Sequence, residues 1–394
     1  MMDVNAPPAF HVMVKPCGAS CNLSCQYCFY RAAESLYPDK PRHMSAEILD
    51  SFTRQYIESQ HVPEVVFAWQ GGEPTLMGLD FLETALECQC KYQRPGLVIR
   101  NTLQTNGILL DDAWCEFLHR HDFLVGISLD GPREVHDAFR LDKKGRPTFD
   151  AVMKGLALLQ RHQVEFNVLA CVHAANAGHP LGVYEFLRDT AGARFIQFIP
   201  VVERATQMNN ADSPVTPPSV SGSRFGDFLI AVFDEWVKRD VGRVFVQAFD
   251  AALGAWFGTP PSLCAFAPTC GTAIVMEHNG DVYSCDHFVN SASLLGNIRD
   301  RHIGELVGSE QQRRFGSAKL EALPLYCRQC EVLFACHGGC PKDRILTTPD
   351  GEPGLNYLCS GYRGFFSHIR QPMETMASLL RQGRAPAEIM ILSR

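Results

Sequence analysis

The stretch that most limits what this chain can become is Cys21-Asn-Leu-Ser-Cys25-Gln-Tyr-Cys28-Phe-Tyr30. Three thiolates this close together can hold three irons of a cubane cluster and no more. A four-iron cluster takes four ligands, so one iron is left open to something other than protein. An open position is also what separates catalytic metal sites from closed structural ones. Close cysteines suit zinc as well, so the triplet alone leaves both readings standing. Cys17 could shift the set to Cys17, Cys21 and Cys25. That spacing lacks the two-residue second gap and the aromatic Tyr27 before the last cysteine, and Cys17 reads as a bystander.

At 394 residues the chain is long enough for a large core and two or more domains. Its 46% hydrophobic and 20% charged residues are ordinary for a soluble globular protein. A net charge of -7 and the absence of a Lys/Arg run argue against nucleic acid as the main partner. No stretch approaches the roughly 18 apolar residues that span a membrane, and the first residues lack a basic-then-apolar signal region. Sixteen cysteines without a secretion signal point to metal in a reducing cytoplasm rather than to disulfides.

From Phe10 onward, short β-type runs alternate with longer helical ones. Strands are expected near Phe10–Lys15, Glu64–Gln70, Leu97–Thr105, Phe123–Leu129, Val164–Cys171 and Arg194–Pro200. Helices are expected near Ala46–Gln60, Leu79–Tyr92, Asp112–Arg120, Phe149–Arg161 and Leu181–Asp189. Six strands joined by helices imply an α/β fold with a parallel sheet and right-handed crossovers. The ligand site of such a sheet lies at the carboxyl ends of its strands. The cysteine triplet, Gly71-Gly72-Glu73-Pro74, Gln104-Thr-Asn-Gly107 and Ser128-Leu-Asp-Gly-Pro132 follow strands one to four, so all four converge on one rim. Asn209 to Ser223 reads as a connecting loop, Phe225–Lys238 as an amphipathic helix, and Gly258–Pro261 as a break. The division expected is a barrel over 1–208, a linker and connecting helix over 209–260, and a cysteine-rich domain over 261–394.

Adjacent glycines at Gly71 and Gly72 let a ligand approach the backbone closely, although a lone Gly-Gly is more often a tight turn. Ser-x-Asp-Gly, here Ser128 and Asp130, is common turn chemistry. Gln70 and Gln104 are strand-end amides facing the same chamber. Further on, Cys264, Cys270, Cys285, Cys327, Cys330, Cys336, Cys340 and Cys359 make eight cysteines, enough for two more four-iron clusters or for two zinc sites. Asp286 directly follows one of them. A carboxylate beside a cluster ligand is a candidate proton acceptor, and on an anonymous loop it is a turn or cap residue. Cys88 and Cys90 point to different helix faces, and Cys115 and Cys171 sit in apolar contexts as small core residues. His173, His179, His287 and His337 carry no partner pattern.

Lys15-Pro16, Cys21–Tyr30, Phe67–Leu76, Leu103–Gly107, Val125–Pro132 and the eight-cysteine tail together resemble the anaerobic sulfatase-maturating enzymes, a SPASM subgroup of the radical S-adenosylmethionine superfamily. The resemblance runs from about Phe10 to Tyr362. It implies a partial (β/α)6 parallel barrel of the radical SAM type, followed by a SPASM domain with two auxiliary clusters. By that resemblance Cys21, Cys25 and Cys28 hold the first of three [4Fe-4S] clusters. Cys264, Cys270, Cys285 and Cys340 hold the second, and Cys327, Cys330, Cys336 and Cys359 the third. Tyr27 contacts the adenine of S-adenosylmethionine, Gly71, Gly72 and Glu73 its amino group, and Ser128 another part of it; Asp286 is the catalytic base. The implied reaction oxidises a cysteine or serine of an unfolded sulfatase segment to Cα-formylglycine, with electrons from a flavodoxin- or ferredoxin-type donor. The rival within the superfamily is a SPASM maturase of a ribosomally made peptide, which often carries a leader-binding domain before the barrel. With the first strand expected near Phe10, no room for one is expected here. A rival of another class, an electron carrier or zinc-stabilised binding module, would not cleave S-adenosylmethionine.

Overall fold

Parallel strands cannot be joined by a hairpin and need a crossover, usually a helix. The chain supplies that alternation from its first described strand onward. The computed structural model describes residues 9–38, 42–205 and 213–392. They pack as two compact units, each discontinuous in sequence. The first joins Met1–Ser128, Leu141–Phe166 and Cys270–Ala318, and the second Leu129–Arg140, Asn167–Thr269 and Lys319–Arg394. This grouping cuts across the linear division expected at 208 and 260.

In the first unit, strands β1 (His11–Lys15), β2 (Glu64–Trp69), β3 (Val98–Thr105) and β4 (Leu124–Ser128) are parallel neighbours in that order. Helices Ala46–Ser59, Leu79–Tyr92 and Asp112–Arg120 connect them. Ser45 and Asp111 start two of these helices by accepting the Ile48 and Trp114 backbone N–H groups, which satisfies otherwise orphaned donors. Phe52, Tyr56, Phe67 and Trp69 form an aromatic core between sheet and helices, with ring centroids 5.1–5.9 Å apart. A polar group beside it is closed on itself. The Trp69 indole donates to Asn101 Oδ1 at 2.8 Å, and Asn101 and Gln89 exchange amide hydrogen bonds at 2.8 and 2.9 Å.

The cysteine-rich part adds to this sheet three strands that the sequence pattern did not reveal. β8 (Ala273–Glu277) lies parallel to β1 in register from His11↔Ala273 to Lys15↔Glu277. β9 (Asp281–Tyr283) and β10 (Leu294–Asn297) then continue antiparallel. Each is only three to five residues long, too short for a period to show. Their pairing with β1 spans most of the chain, and no local signal encodes such a contact.

In the second unit, β5 (Phe166–Val172, from Asn167 onward), β6 (Phe195–Pro200) and the two-residue β7 (Phe245–Val246) are parallel neighbours. The helix expected over Leu181–Asp189 is instead α-helical over Pro180–Glu185 and continues as a π turn over Phe186–Thr190. Residues 209–212 of the expected connecting loop lie outside the described residues, and the following helix already starts at Gly222 and runs to Arg239. That helix crosses the helix Cys359–His368 at backbone distance. A Cβ at Gly361 would overlap the Gly222 carbonyl, and one at Gly226 would meet the Gly361 backbone. Phe233, Trp236, Phe249 and Phe365 fill the space beside the crossing.

The crossing yields a stability prediction. Gly361→Ala overpacks it and lowers stability by about 1–3 kcal/mol. Gly364→Ala, one turn on, meets no neighbour within 4 Å and is neutral or stabilising by roughly 0.5–1 kcal/mol. Denaturant midpoints of anaerobically prepared variants check the contrast.

Candidate active site

Because β1 to β4 are parallel, they all end on one edge of the first unit. Lys15 closes β1, Gln70-Gly71-Gly72-Glu73 follows β2, Thr105-Asn106 ends β3, and Ser128 ends β4. The edge is knitted by hydrogen bonds between these ends. Gln104 Nε2 donates to Ser128 Oγ at 3.1 Å, and Asn106 Nδ2 to Asn22 Oδ1 at 2.8 Å. Of the four motifs expected to converge, the first three and Ser128 of the fourth come together within this unit, whereas Leu129–Pro132 belong to the second unit.

The loop carrying Cys21, Cys25 and Cys28 is anchored at two points. Ser24 N donates to the Leu141 carbonyl at 2.8 Å, and Leu23 bridges to Asp142. From the other side, Gly72 N donates to Gly18 O and Glu73 N to Ser20 O, both at 2.8 Å. A Cβ at Gly72 would overlap the Ser20 carbonyl. The glycine is therefore required first by the chain's own cysteine loop, which approaches it as closely as a ligand would. Glu73 is fully buried, and four donors of the chain engage its carboxylate: Thr75 N and Oγ1, Thr105 Oγ1 and Asn106 N, at 2.6–3.1 Å. Burial pushes Glu73 up from the ordinary carboxylate value while these donors pull it back. Its side chain braces the turn after β2 against the end of β3.

Cys17 is buried with its thiol directed at the Glu73 carbonyl, Sγ to O 3.2 Å. Burial pushes it up to about 12, so it stays a thiol that donates to backbone. Cys21 has other partners. Leu23 N donates to its Sγ at 3.3 Å, and the Asn106 amide lies 3.9 Å from it; hydrogen bonds to sulfur tune a cluster's potential. Burial pushes Cys21 up to about 12 as well, and Cys25 and Cys28 lie near enough to raise it further. Such thiols surrender their protons to metal rather than to water. The loop, its sulfur-directed donors and its close-set thiols fit an iron–sulfur cluster. Tyr27 is buried beside Cys28.

Asp286 opens a 3-10 turn directly after Cys285, and the neighbouring His287 ring packs on Phe29 of the cysteine loop at 4.7 Å. Asp286 Oδ2 lies 3.9 Å from Lys15 Nζ. Lys15 is itself buried; its ammonium donates to Gln70 Oε1 at 2.9 Å and sits 4.4 Å from the centroid of the Tyr30 ring. Tyr30 in turn donates to Glu277 Oε1. Burial pulls Lys15 below the ordinary lysine value, against Asp286 and Glu277, which favour its charged form.

Three side chains without any spacing signal hold the loops that carry several of the remaining cysteines. In the first unit, the Gln312 amide donates to the Gly271 and Ser284 carbonyls, at 3.0 and 3.2 Å, next to Cys270 and Cys285. In the second unit, Lys319 Nζ donates to the Cys264 and Ala265 carbonyls, at 2.7 and 2.9 Å, and Asn356 Nδ2 to the Cys340 carbonyl at 3.1 Å. Cys327, Cys330, Cys336 and Cys359 line one small cavity together with Val332, Leu333 and Gly338. Burial pushes Cys336 and Cys340 up to about 12 and Cys359 to about 11. Among the described residues, no three His, Cys, Asp or Glu side chains close round one point as they would for a single metal ion.

Comparison with known proteins agrees with this geometry. Residues 16–187 match the radical SAM superfamily, and residues 264–331 the SPASM iron-sulfur cluster-binding domain. The chain is 47% identical to the serine-type anaerobic sulfatase-maturating enzyme of Bacteroides thetaiotaomicron, over 96% of this chain and 94% of that one. The chain belongs to the anaerobic sulfatase-maturating enzymes. The cysteine-type member from Clostridium perfringens is 34% identical over 92% of this chain and 96% of its own. The solved structure of native anSMEcpe with bound AdoMet and Kp18Cys peptide superposes with a TM-score of 0.84 at 33% identity, covering 93% of this chain and 99% of that one. Streptococcus suis SuiB with its precursor peptide, at 15% identity and a TM-score of 0.60 over 89% of this chain and 76% of its own, shares the fold alone.

As a sulfatase-maturating enzyme the chain has the partial-barrel and SPASM architecture expected, and it works with [4Fe-4S] clusters and S-adenosylmethionine. Asp130, in the second unit, belongs to a buried ion network. It pairs with Arg140 Nε at 2.9 Å, lies 3.6 Å from His173 Nε2 and accepts the Cys171 N–H at 2.9 Å. Burial alone would raise it, but Arg140 and the His173 and His136 rings hold the carboxyl well below its usual range. Burial pulls His136 down to about 4. His337 is a helix C-cap in the left-handed region, φ 46°, and its backbone carbonyl accepts from Arg344. Sequence reasoning left Lys15, Gln312, Lys319 and Asn356 without roles. Lys15 alone carried a signal, as a charge ending the apolar run Val-Met-Val of a buried strand.

Three substitutions separate the loop's working parts in this enzyme. Cys17→Ala keeps the iron content of wild type, whereas Cys21→Ala loses the iron of one cluster. Gly72→Ala, which forces the cysteine loop off its backbone hydrogen bonds, also loses one cluster. Iron and sulfide assays on reconstituted protein read all three.

Proposed function

We propose that this sulfatase-maturating enzyme oxidises a serine of an unfolded sulfatase segment to Cα-formylglycine, accepting cysteine at the same position. The observation that carries the reading is Asp286, which directly follows a cluster cysteine and lies beside Lys15 at the strand edge bearing the Gly71-Gly72 turn. Serine is favoured because identity is 47% and 37% with serine-type relatives and 34% or less with the cysteine-type ones.

Cys21, Cys25 and Cys28 hold the cluster that binds S-adenosylmethionine, with Tyr27, Gly71, Gly72, Glu73 and Ser128 around the cofactor. Cys264, Cys270, Cys285 and Cys340 form one auxiliary site, and Cys327, Cys330, Cys336 and Cys359 the other. When bound, the reduced cluster and S-adenosylmethionine supply the radical chemistry that removes a hydrogen from the substrate Cβ. The chain's own task is then a proton transfer. The substrate hydroxyl O–H breaks and its proton passes to the Asp286 carboxylate, while the one electron left on the substrate would be taken up by an auxiliary cluster, and the serine oxygen becomes a carbonyl. A cysteine follows the same path to a thioaldehyde, which water hydrolyses. General base catalysis of this kind contributes about 10²–10⁴-fold. Glu73 makes no such transfer: its oxygens are taken up by Thr75, Thr105 and Asn106. The electron donor is a flavodoxin or ferredoxin of the cytoplasm. Among the described residues, no helix is long and apolar enough to cross a membrane.

Asp286→Asn keeps cleavage of S-adenosylmethionine but lowers the formylglycine yield by roughly 10²-fold or more; anaerobic turnover, with 5′-deoxyadenosine and peptide mass both followed, measures the pair. With matched peptides differing only at the target residue, the serine peptide is converted with the higher kcat/KM. A preference for cysteine would overturn the assignment of serine.

A further inference from the structure

Lys15 is the most completely enclosed cation at this edge. The side chains of Lys15 and Asp286 are 2% and 13% exposed, so water screens their attraction little. The ammonium is fixed on every side. Gln70 accepts one of its hydrogens at 2.9 Å, the Tyr30 ring lies beneath it at 4.4 Å, and Asp286 Oδ2 faces it at 3.9 Å. Tyr30 is anchored by its hydrogen bond to Glu277, whose Cα is paired with that of Lys15 in the β1–β8 register. A Cβ on Gly71 would come within 3.4 Å of Lys15 Cδ, so the stem of the lysine is also packed under the glycine turn. The separation of 3.9 Å exceeds a hydrogen bond, and what Lys15 supplies is a fixed charge rather than a shared proton.

We propose that Lys15 is the positioning residue for Asp286, holding the carboxylate towards the substrate hydroxyl when the proton leaves; this rests on the reading of Asp286 as the base. A buried ammonium with Gln70 and Tyr30 as its other neighbours gives the carboxylate one favoured orientation on an otherwise short turn. Without it, Asp286 keeps its chemistry and loses its aim. Errors of about 1 Å in such placement cost roughly 10²-fold. Hydrogen removal from the substrate, which does not involve Lys15, continues. The loss therefore appears as uncoupling, with more S-adenosylmethionine cleaved for each formylglycine made.

The test compares Lys15→Met, Lys15→Arg, Asp286→Asn and the Lys15→Met/Asp286→Asn double variant in reconstituted full-length enzyme. Iron content and the dissociation constant for S-adenosylmethionine are measured first, then 5′-deoxyadenosine formed per formylglycine with a serine peptide. Lys15→Met is expected to keep both binding readouts and to raise that ratio roughly 10- to 100-fold, chiefly through kcat rather than KM. Lys15→Arg, which restores the charge, is expected to recover most of the coupling. The double variant is expected to be no more uncoupled than Asp286→Asn, because residues acting through one group are not additive. A coupled Lys15→Met enzyme, or a double variant whose defect is the product of the two single ones, overturns the proposal. Loss of iron or of cofactor binding in Lys15→Met also overturns it and assigns the lysine to the cysteine loop. If Asp286→Asn is itself fully coupled, the reading of Asp286 as the base fails instead.

Discussion

The parallel pairing of β1 with β8 is the contact on which the active edge depends. Five residues in register, from His11↔Ala273 to Lys15↔Glu277, join the first strand of the chain to the strand that leads into Cys285. Because the strands are parallel, both end on the edge where the cysteine loop begins. Asp286 reaches that edge only through this register. A slip of one residue would turn Lys15 and Glu277 to the opposite faces, and the carboxylate would lose its buried cation.

Around that pairing, the edge is stabilised mainly by backbone and carboxylate hydrogen bonds between successive strand ends. Glu73 ties the turn after β2 to the end of β3, and the amides of Gly72 and Glu73 tie it to the cysteine loop. The design has a cost. A buried carboxylate and a buried ammonium, 2% exposed or less, must each find partners inside the chain. Glu73 finds four neutral donors. Lys15 finds the Gln70 amide, the Tyr30 ring and the Asp286 carboxylate.

The loops of the cysteine-rich part follow another principle. Several of their cysteines lie far apart in sequence, and side chains fasten those loops through backbone carbonyls. Gln312 spans the loops of Cys270 and Cys285, Lys319 the turn at Cys264, and Asn356 the carbonyl of Cys340. The helix of Cys359 is set by its glycine crossing with Gly222–Arg239. These clamps hold the backbone of the cysteine loops without using the sulfurs themselves.

Much of this was readable in the residue order. The spacing of Cys21, Cys25 and Cys28, the strand–helix alternation of the first 200 residues and the motifs at the strand ends are local properties, and the six strands and most helices lie within a few residues of expectation. Asp286 was legible because it adjoins a patterned cysteine. Tertiary structure decided the rest. It made Gly72 a contact for the cysteine loop and Glu73 a brace, and it drew Asp130 into a buried network with Arg140. It also brought residues near 280 into the sheet begun at residue 11. Close approach, burial and long-range register are relations between distant segments, which no spacing along the chain records.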